Sequence, residues 1–309
     1  MRKDAFATLI SRGLVRTQHA RDAGVDERAL RAARERGALV RVRHDAYIDT
    51  GQWTAMDAAE RHRERVRAAA GALRDPVFSH FSAAAVWGLP LIGTWPSDVH
   101  VLGTRRGGGR SWPGVVQHTT DLPLSAVLYD GVVVTDVAAT VIGVARVASF
   151  ATALAMADHA VRSALVATDE LAECAAGLGT RRGSRAARRV AERADGRAAS
   201  PGESLSRARM IELAAPSPEL QHVVRDGAGF VGQTDFHWPR LRLVGEFDGR
   251  LKYRVAGVDD PRAVEERVWQ EKVREDRIRA TGLGVTRWTW STALDPRQFA
   301  VHLRSAGVL

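Results

Sequence analysis

A chain of 309 residues exceeds one compact core, so two or three domains are expected. Hydrophobic residues make up 45% and charged residues 26%, which excludes a largely disordered, collagen-like or disulfide-stapled protein. Cys174 is the single cysteine, so the sequence admits neither an intramolecular disulfide nor a multi-cysteine zinc site, and a reducing, cytoplasmic location is expected.

The opening MRKDAFATLI holds too short an apolar run for a signal peptide, and no later stretch reaches about 18 uninterrupted apolar residues, so neither secretion nor a membrane partner is expected. The 45 Lys and Arg outnumber the 36 Asp and Glu, for a net charge of +9. Nucleic acid is the first partner such a balance suggests, because neutralising phosphates releases condensed counterions. Three of those cations are lysines, Lys3, Lys252 and Lys272, and two of them lie near an acidic cluster.

In chain order, a short helix is expected at about Lys3 to Ser11, a second from Thr17 as N-cap to Gly24, and a third from Glu27 to Arg36, capped by Asp26 and ended by Gly37. Helix, glycine turn, helix is the rhythm of a helix-turn-helix. The third helix carries Arg28, Arg31 and Arg34 around a small apolar stripe of Leu30 and Ala33, and LVRVRHDAYID then alternates as a hairpin with Arg41 and Arg43 as a basic wing. A long helix from about Thr54 to Leu73 follows. FSHFSAAAVWGLP reads as a buried helix, DVHVLG and GVVV as strands, and Thr135 or Asp136 as the cap of a further helix.

From 179 to 199, seven arginines (181, 182, 185, 188, 189, 193 and 197) read as a connector, either a solvated helix face or a phosphate-binding stretch. Beyond Ser200 the pattern is helix (Glu203 to Leu213), three strands (near Gln221 to Arg225, Phe230 to His237 and Leu241 to Phe247), helix (Pro261 to Thr281), strand (Gly284 to Trp290) and a helix opened by Asp295-Pro296.

Strand alternation puts Glu246 and Asp248 on one face with Phe247 on the other, and a hairpin brings Asp235 beside them. Glu203 on the preceding helix can approach the same face. Such carboxylates suit Mg²⁺ or Mn²⁺ and phosphodiester hydrolysis, with Lys252 or Lys272 opposing the developing negative charge. The plainer alternatives are a polar turn at Asp248-Gly249, a first-turn acid at Glu203 that complements the helix dipole, and an ordinary helical ion pair of Lys272 with Asp276. His222 and His237 read as hydrogen-bonded structural residues, and Trp288 and Trp290 as core.

The run SPGESLSRARM, LQHVV, GFVGQTDFHWPRLRLVGEFDGRLKYR and EKVREDRIRATGLGVTRWTW resembles the PD-(D/E)xK nuclease superfamily in its very-short-patch-repair-like branch, over about the last 110 residues. The resemblance implies a restriction-endonuclease-like core with Asp235 and Glu246 as metal ligands, Glu203 as the helical acid and Gln221 lining the site. The superfamily's lysine two positions after the strand glutamate is here Asp248, so Lys252 or Lys272 has to substitute. Residues 1 to about 175 resemble AbiEi-like antitoxins of type IV toxin-antitoxin systems, on GLVRTQHARDAGVDERALRAARERGALVRVRHDAYI, FSHFSAAAVWGLPL and VVVTDVAAT. That resemblance implies DNA recognition by the third helix.

Together these give a multidomain α+β and α/β chain: a winged helix-turn-helix over 1–50, a mixed α/β region over 51–178, the connector over 179–199 and a nuclease-like domain over 200–309. Two functions are expected from it. One is a Mg²⁺- or Mn²⁺-dependent DNA endonuclease using Asp235, Glu246, Asp248, Gln221 and Lys252 or Lys272. The other is a DNA-binding regulator whose nuclease fold is inactive, with a toxin partner or a second copy of the chain as protein partners.

Overall fold

The computed structural model describes residues 13–103, 111–120, 125–249 and 261–309, with the side chains at 261–264 and 267 left aside. The expected first helix and Lys252 lie outside the described residues. The chain divides into two compact units, 1–147 with 169–188, and 148–168 with 189–309.

The first unit opens with β1 (Val15–Arg16), α1 (Thr17–Asp22), α2 (Glu27–Glu35), β2 (Leu39–Arg43) and β3 (Ala46–Asp49), the strands forming a sheet in the order β1-β3-β2. Asp26 caps α2 by accepting from the Ala29 amide at 2.7 Å. Thr17 is the first helical residue rather than the cap, because its amide and hydroxyl both donate to the Asp45 carbonyl. Val15, Ala20, Val25, Leu30, Ala33 and Leu39 close over one another as a small core, each large side chain contributing roughly 1.5–3 kcal/mol on burial.

The long helix expected after the wing is two, α3 (Thr50–Ala55) and α4 (Ala58–Ala70). Asp57 and Glu60 form a reciprocal capping box that starts α4 afresh, and Met56 is extended. Five strands follow: β4 (Val77–Phe78), β5 (Val99–Gly103), β6 (Val115–Thr119), β7 (Ala126–Tyr129) and β8 (Val132–Thr135), arranged β6-β5-β4-β8-β7, with α5 (His80–Val86) between β4 and β5. β6 and β7 are strands beyond those expected from the sequence. Asp136 caps α6 (Val137–Ala145) through the Ala139 amide.

This core buries imidazoles as neutral groups. His62 is fully buried between the Pro96 carbonyl (3.0 Å) and the Ser82 hydroxyl (3.1 Å), and burial outweighs the carbonyl to pull its pKa down to about 4. His100 and His118 approach through their ring nitrogens at 2.9 Å and fall to about 3 and about 4, first by burial. Cys174 is pushed up to about 11 by burial and then by Asp136, so it is no reactive thiol.

Helix α7 (Phe150–Arg162) belongs to the second unit and α8 (Thr168–Gly177) to the first. The arginine-rich stretch is helical in its middle, α9 (Ser184–Arg193), and its stripe of Ala187, Val190 and Ala191 is buried. It is therefore a packed helix with a cationic outer face, and the division between units falls within it.

The second unit continues with α10 (Pro201–Glu212), β9 (Glu219–Asp226), β10 (Gly229–Trp238), β11 (Leu243–Asp248), α11 (Pro261–Ala280), β12 (Gly284–Thr289), α12 (Trp290–Leu294) and α13 (Pro296–Ser305). Its sheet runs β12-β11-β10-β9. β9, β10 and β11 form an antiparallel meander, and β12 joins parallel to β11 after α11. A parallel neighbour requires a crossover, which α11 supplies. β11 starts later than expected because Pro239–Leu241 forms a 3₁₀ turn. Trp288 is core, stacked on Phe236 and donating to the Ser206 hydroxyl, whereas Trp290 begins α12 and meets Phe247 edge-on. Asp158 is fully buried, paired with Arg207 and accepting from the Asp195 amide. Burial raises its carboxyl against the pull of that arginine.

Candidate nucleic-acid interface and the acid cleft

Helical spacing puts Arg28, Arg31 and Arg34 on the outer side of α2, opposite the buried Leu30 and Ala33. All three are exposed, and none is in an ion pair among the described residues. Arg41 is exposed on β2, its Nε donating to the Arg43 carbonyl at 3.3 Å. Arg43 is turned in, 3.7 Å from Asp45 with most of its side chain covered, so it is less available to a phosphate than Arg41. Asp45 also holds Arg16 at 3.2 Å, and the Arg16 guanidinium reaches on to the Arg67 and Ala68 carbonyls of α4. The wing turn is thereby tied to a long helix of the same unit.

In the second unit, Asp235, Glu246 and Asp248 line one cleft of about 300 Å³, together with Gln233, Phe247, Glu271, Arg274 and Arg287. The meander explains their convergence: Asp235 is on β10, Glu246 and Asp248 on the adjacent β11, and Asp235 Oδ2 accepts from the Phe247 amide at 2.7 Å. What fills the cleft is arginine. Arg274 donates to Glu246 Oε1 at 2.6 Å, to Glu271 Oε1 at 2.9 Å and to the Gln233 carbonyl. Arg287 sits 2.9 Å from Glu246 Oε2 and 3.2 Å from Glu275 Oε2. Burial alone would lower both guanidinium pKa values; Glu246 and its acidic neighbours reverse that and hold them above the ordinary value. Gly232 gives Arg274 its place, since a Cβ there would lie 2.6 Å from Arg274 Nε.

The remaining expected site residues lie elsewhere. Glu203 is buried, but its carboxylate closes the start of α10: it accepts from the Ala199 amide (2.8 Å), the Ser200 hydroxyl (2.9 Å) and the Gln221 amide (2.9 Å). Ser200-Pro-Gly-Glu203 is a capping-box spacing, so a first-turn acid describes Glu203 better than a metal ligand does. Neither Glu203 nor Gln221 lines the acid cleft, and Gln221 is spent on Glu203. Lys272 is exposed on α11 and does not line the cleft either; Arg274 and Arg287 hold the cationic positions.

The acid cleft as arranged does not fit a bound Mg²⁺. Both oxygens of Glu246 already face guanidinium groups, and Asp235, Glu246 and Asp248 are not among the described groups whose candidate ligand atoms all lie within 4.8 Å of one another. A search of the sequence for lysine passes over Arg274 and Arg287; the Glu271-x-x-Arg274 spacing is the one local signal of the pair.

Residues 6–48 match the family model described as "Transcriptional regulator, AbiEi antitoxin". Two uncharacterized proteins of Mycobacterium tuberculosis, MT2308 of strain CDC 1551 and Rv2248 of strain H37Rv, are each 40% identical over 109 residues. The match takes in 35% of this chain and 40% of each relative, so the chain spans about two fifths of their length. Among solved structures, the RV2827C protein of Mycobacterium tuberculosis is similar with a TM-score of 0.38 and 14% identity, over 69% of this chain and 84% of that one. The matched segment takes in α2 and its three exposed arginines. Among the described residues, no helix is long and apolar enough to cross a membrane.

Proposed function

We propose that the protein is a DNA-binding regulator of the antitoxin type, in which α2 enters the major groove and Arg28, Arg31 and Arg34 face base edges and phosphates, with Arg41 on the flanking backbone. The observation that carries this reading is the set of three exposed arginines on the outer face of a capped, well-packed helix inside the matched segment. An arginine already neutralised by a carboxylate would gain little from a phosphate; these have no such partner among the described residues. Binding measured on duplex DNA over a salt series tests it. Changing Arg28, Arg31 and Arg34 together to Ala should weaken binding and lower the salt-dependence slope by about 0.9 for each phosphate no longer neutralised. An unchanged slope would remove α2 from the interface. A toxin partner is part of the same proposal, and co-purification from a host expressing the neighbouring genes would test it.

Within this reading, the second unit's cleft is an ion-pair network that joins α11, β11 and β12. A second reading, phosphodiester hydrolysis, is supported by one observation: Asp235, Glu246 and Asp248 line a single cleft across adjacent strands of a meander followed by a parallel crossover. It requires Arg274 to release Glu246. Plasmid nicking with Mg²⁺ or Mn²⁺ against chelator separates the two. Cleavage abolished by Asp235→Ala would favour hydrolysis, and DNA binding without cleavage on supercoiled, single-stranded and mismatched substrates would favour the regulator.

A further inference from the structure

The second unit holds a group of side chains that neither reading uses. Glu219 and His222 on β9, and His237 on β10, present one carboxylate and two imidazoles whose ligand atoms all lie within 4.8 Å of one another. Both rings turn Nδ1 to the same oxygen: His237 Nδ1 is 2.9 Å from Glu219 Oε2, and His222 Nδ1 is 3.6 Å from it. The rings stack on each other with centroids 3.8 Å apart.

The strand geometry makes this convergence specific. Glu219 and His237 are direct cross-strand partners and therefore share a face, but His222 is three positions beyond Glu219 and regular alternation would send it to the opposite face. Gln221, between them, has a φ of +56°, which is rare for a residue with a Cβ. That left-handed residue breaks the alternation and brings His222 round to His237. The backbone is anchored by side-chain bonds, Gln221 to Glu203 Oε2 at 2.9 Å and Gln233 to the Gln221 carbonyl at 3.0 Å. Strained backbone of this kind persists where its surroundings over-determine it, and it gathers at ligand-holding sites. A structural hydrogen bond from His237 to Glu219 needs neither the second imidazole nor the left-handed turn.

We propose that Glu219, His222 and His237 form a binding site for a first-row divalent cation of borderline softness, for which Zn²⁺ is the probe. Two imidazole nitrogens and a carboxylate oxygen are the donor set such an ion selects, with N–metal and O–metal distances of about 2.0–2.2 Å. In a tetrahedral arrangement the three supply all but one position, leaving the fourth for water or another ligand. β9 is an edge strand, Glu219 is exposed and His237 is buried, so the ion enters from solvent beside the carboxylate and seats against the inner imidazole. The bound ion would clip the edge strand to β10. The proposal is independent of the acid cleft, whose Glu246 is engaged by arginines.

Titration of the full-length, chelator-treated protein with Zn²⁺, followed by calorimetry and by the melting temperature, tests it. One equivalent should bind and raise Tm, 10 mM Mg²⁺ should leave that binding in place, and Co²⁺ should produce the visible d–d absorption of a tetrahedral centre. His222→Ala and Glu219→Gln, both at accessible positions, should each weaken Zn²⁺ binding by more than the roughly 10–100-fold that losing an outer-shell partner costs, while the apo protein keeps its circular dichroism. His237→Gln should do the same or more; if it fails to fold, the other two variants still decide. Zn²⁺ affinity unchanged in both His222→Ala and Glu219→Gln, or displacement of Zn²⁺ by Mg²⁺ at that concentration, would overturn the site.

Discussion

The two units differ in the ionisable groups that dominate their interiors. The first buries imidazoles as neutral groups, His62 and His100 among them, and leaves the arginines of α2 exposed. The second buries charge and pairs it: Asp158 with Arg207, and Glu246 with Arg274 and Arg287. Net charge is therefore a poor guide to where a polyanion docks, because arginines of both units, Arg16 and Arg274 among them, are spent on carboxylates while those on α2 are not. What matters is which guanidinium groups remain unneutralised, and that is a property of the fold.

The comparison breaks most severely at Asp158. Asp158→Ala leaves the largely buried Arg207 with only the Asp195 carboxylate, 3.9 Å away, and the Arg193 carbonyl, and should cost about 3 kcal/mol in a denaturant titration. A cost below about 1 kcal/mol would mean that the pair is solvated. Glu246→Gln comes next, at about 1.5–3 kcal/mol, because a neutral amide replaces the acceptor of two charge-assisted bonds. It should also raise affinity for polyanions slightly, since one negative charge beside Arg274 and Arg287 is lost while Glu271 and Glu275 remain paired with them.

Acid sharpens the contrast. A histidine whose folded pKa is depressed is neutral in both states above about pH 6.5. Below that pH the unfolded chain takes up protons that the folded chain refuses, so stability falls as pH drops toward the folded value. For His62, with a folded pKa of about 4, the destabilisation by pH 5 is on the order of 2 kcal/mol. Tm measured from pH 7.5 down to pH 5 should fall, and His62→Gln should flatten that dependence. The smallest effect is at the cap of α2: Asp26→Ala should cost about 1 kcal/mol and, on the regulator reading, lower DNA affinity without altering the salt slope.

Much of this architecture is readable from local signals. Asp26, Asp136 and Asp295 cap helices as their position before apolar runs implies, and the helix, meander, helix, strand order of the last 110 residues follows turn residues and periodicity. Thr54 to Leu73 reads as one helix because composition stays helical through Met56, and only the Asp57–Glu60 box shows where a new one begins. At the acid cleft, the strand positions of Asp235, Glu246 and Asp248 are legible, since alternation and one hairpin fix them. The partners are not. Arg274 reaches Glu246 across 28 positions, and Arg287 arrives on a parallel strand whose register no local pattern sets. Gln221 is equally hidden, as a left-handed residue inside a strand leaves no mark in composition.

The hook made by Arg16 has a consequence for how a duplex would be gripped. A Cβ at Gly71 would stand 2.2 Å from Arg16 Nη2, so the guanidinium as placed occupies the space a side chain there would need. Through this hook the wing turn and the end of α4 share one guanidinium, so the orientation of the turn is coupled to that helix. A methyl at Gly71 would press on that guanidinium and shift it, loosening one tie between the wing turn and α4 without any change at Arg28, Arg31 or Arg34.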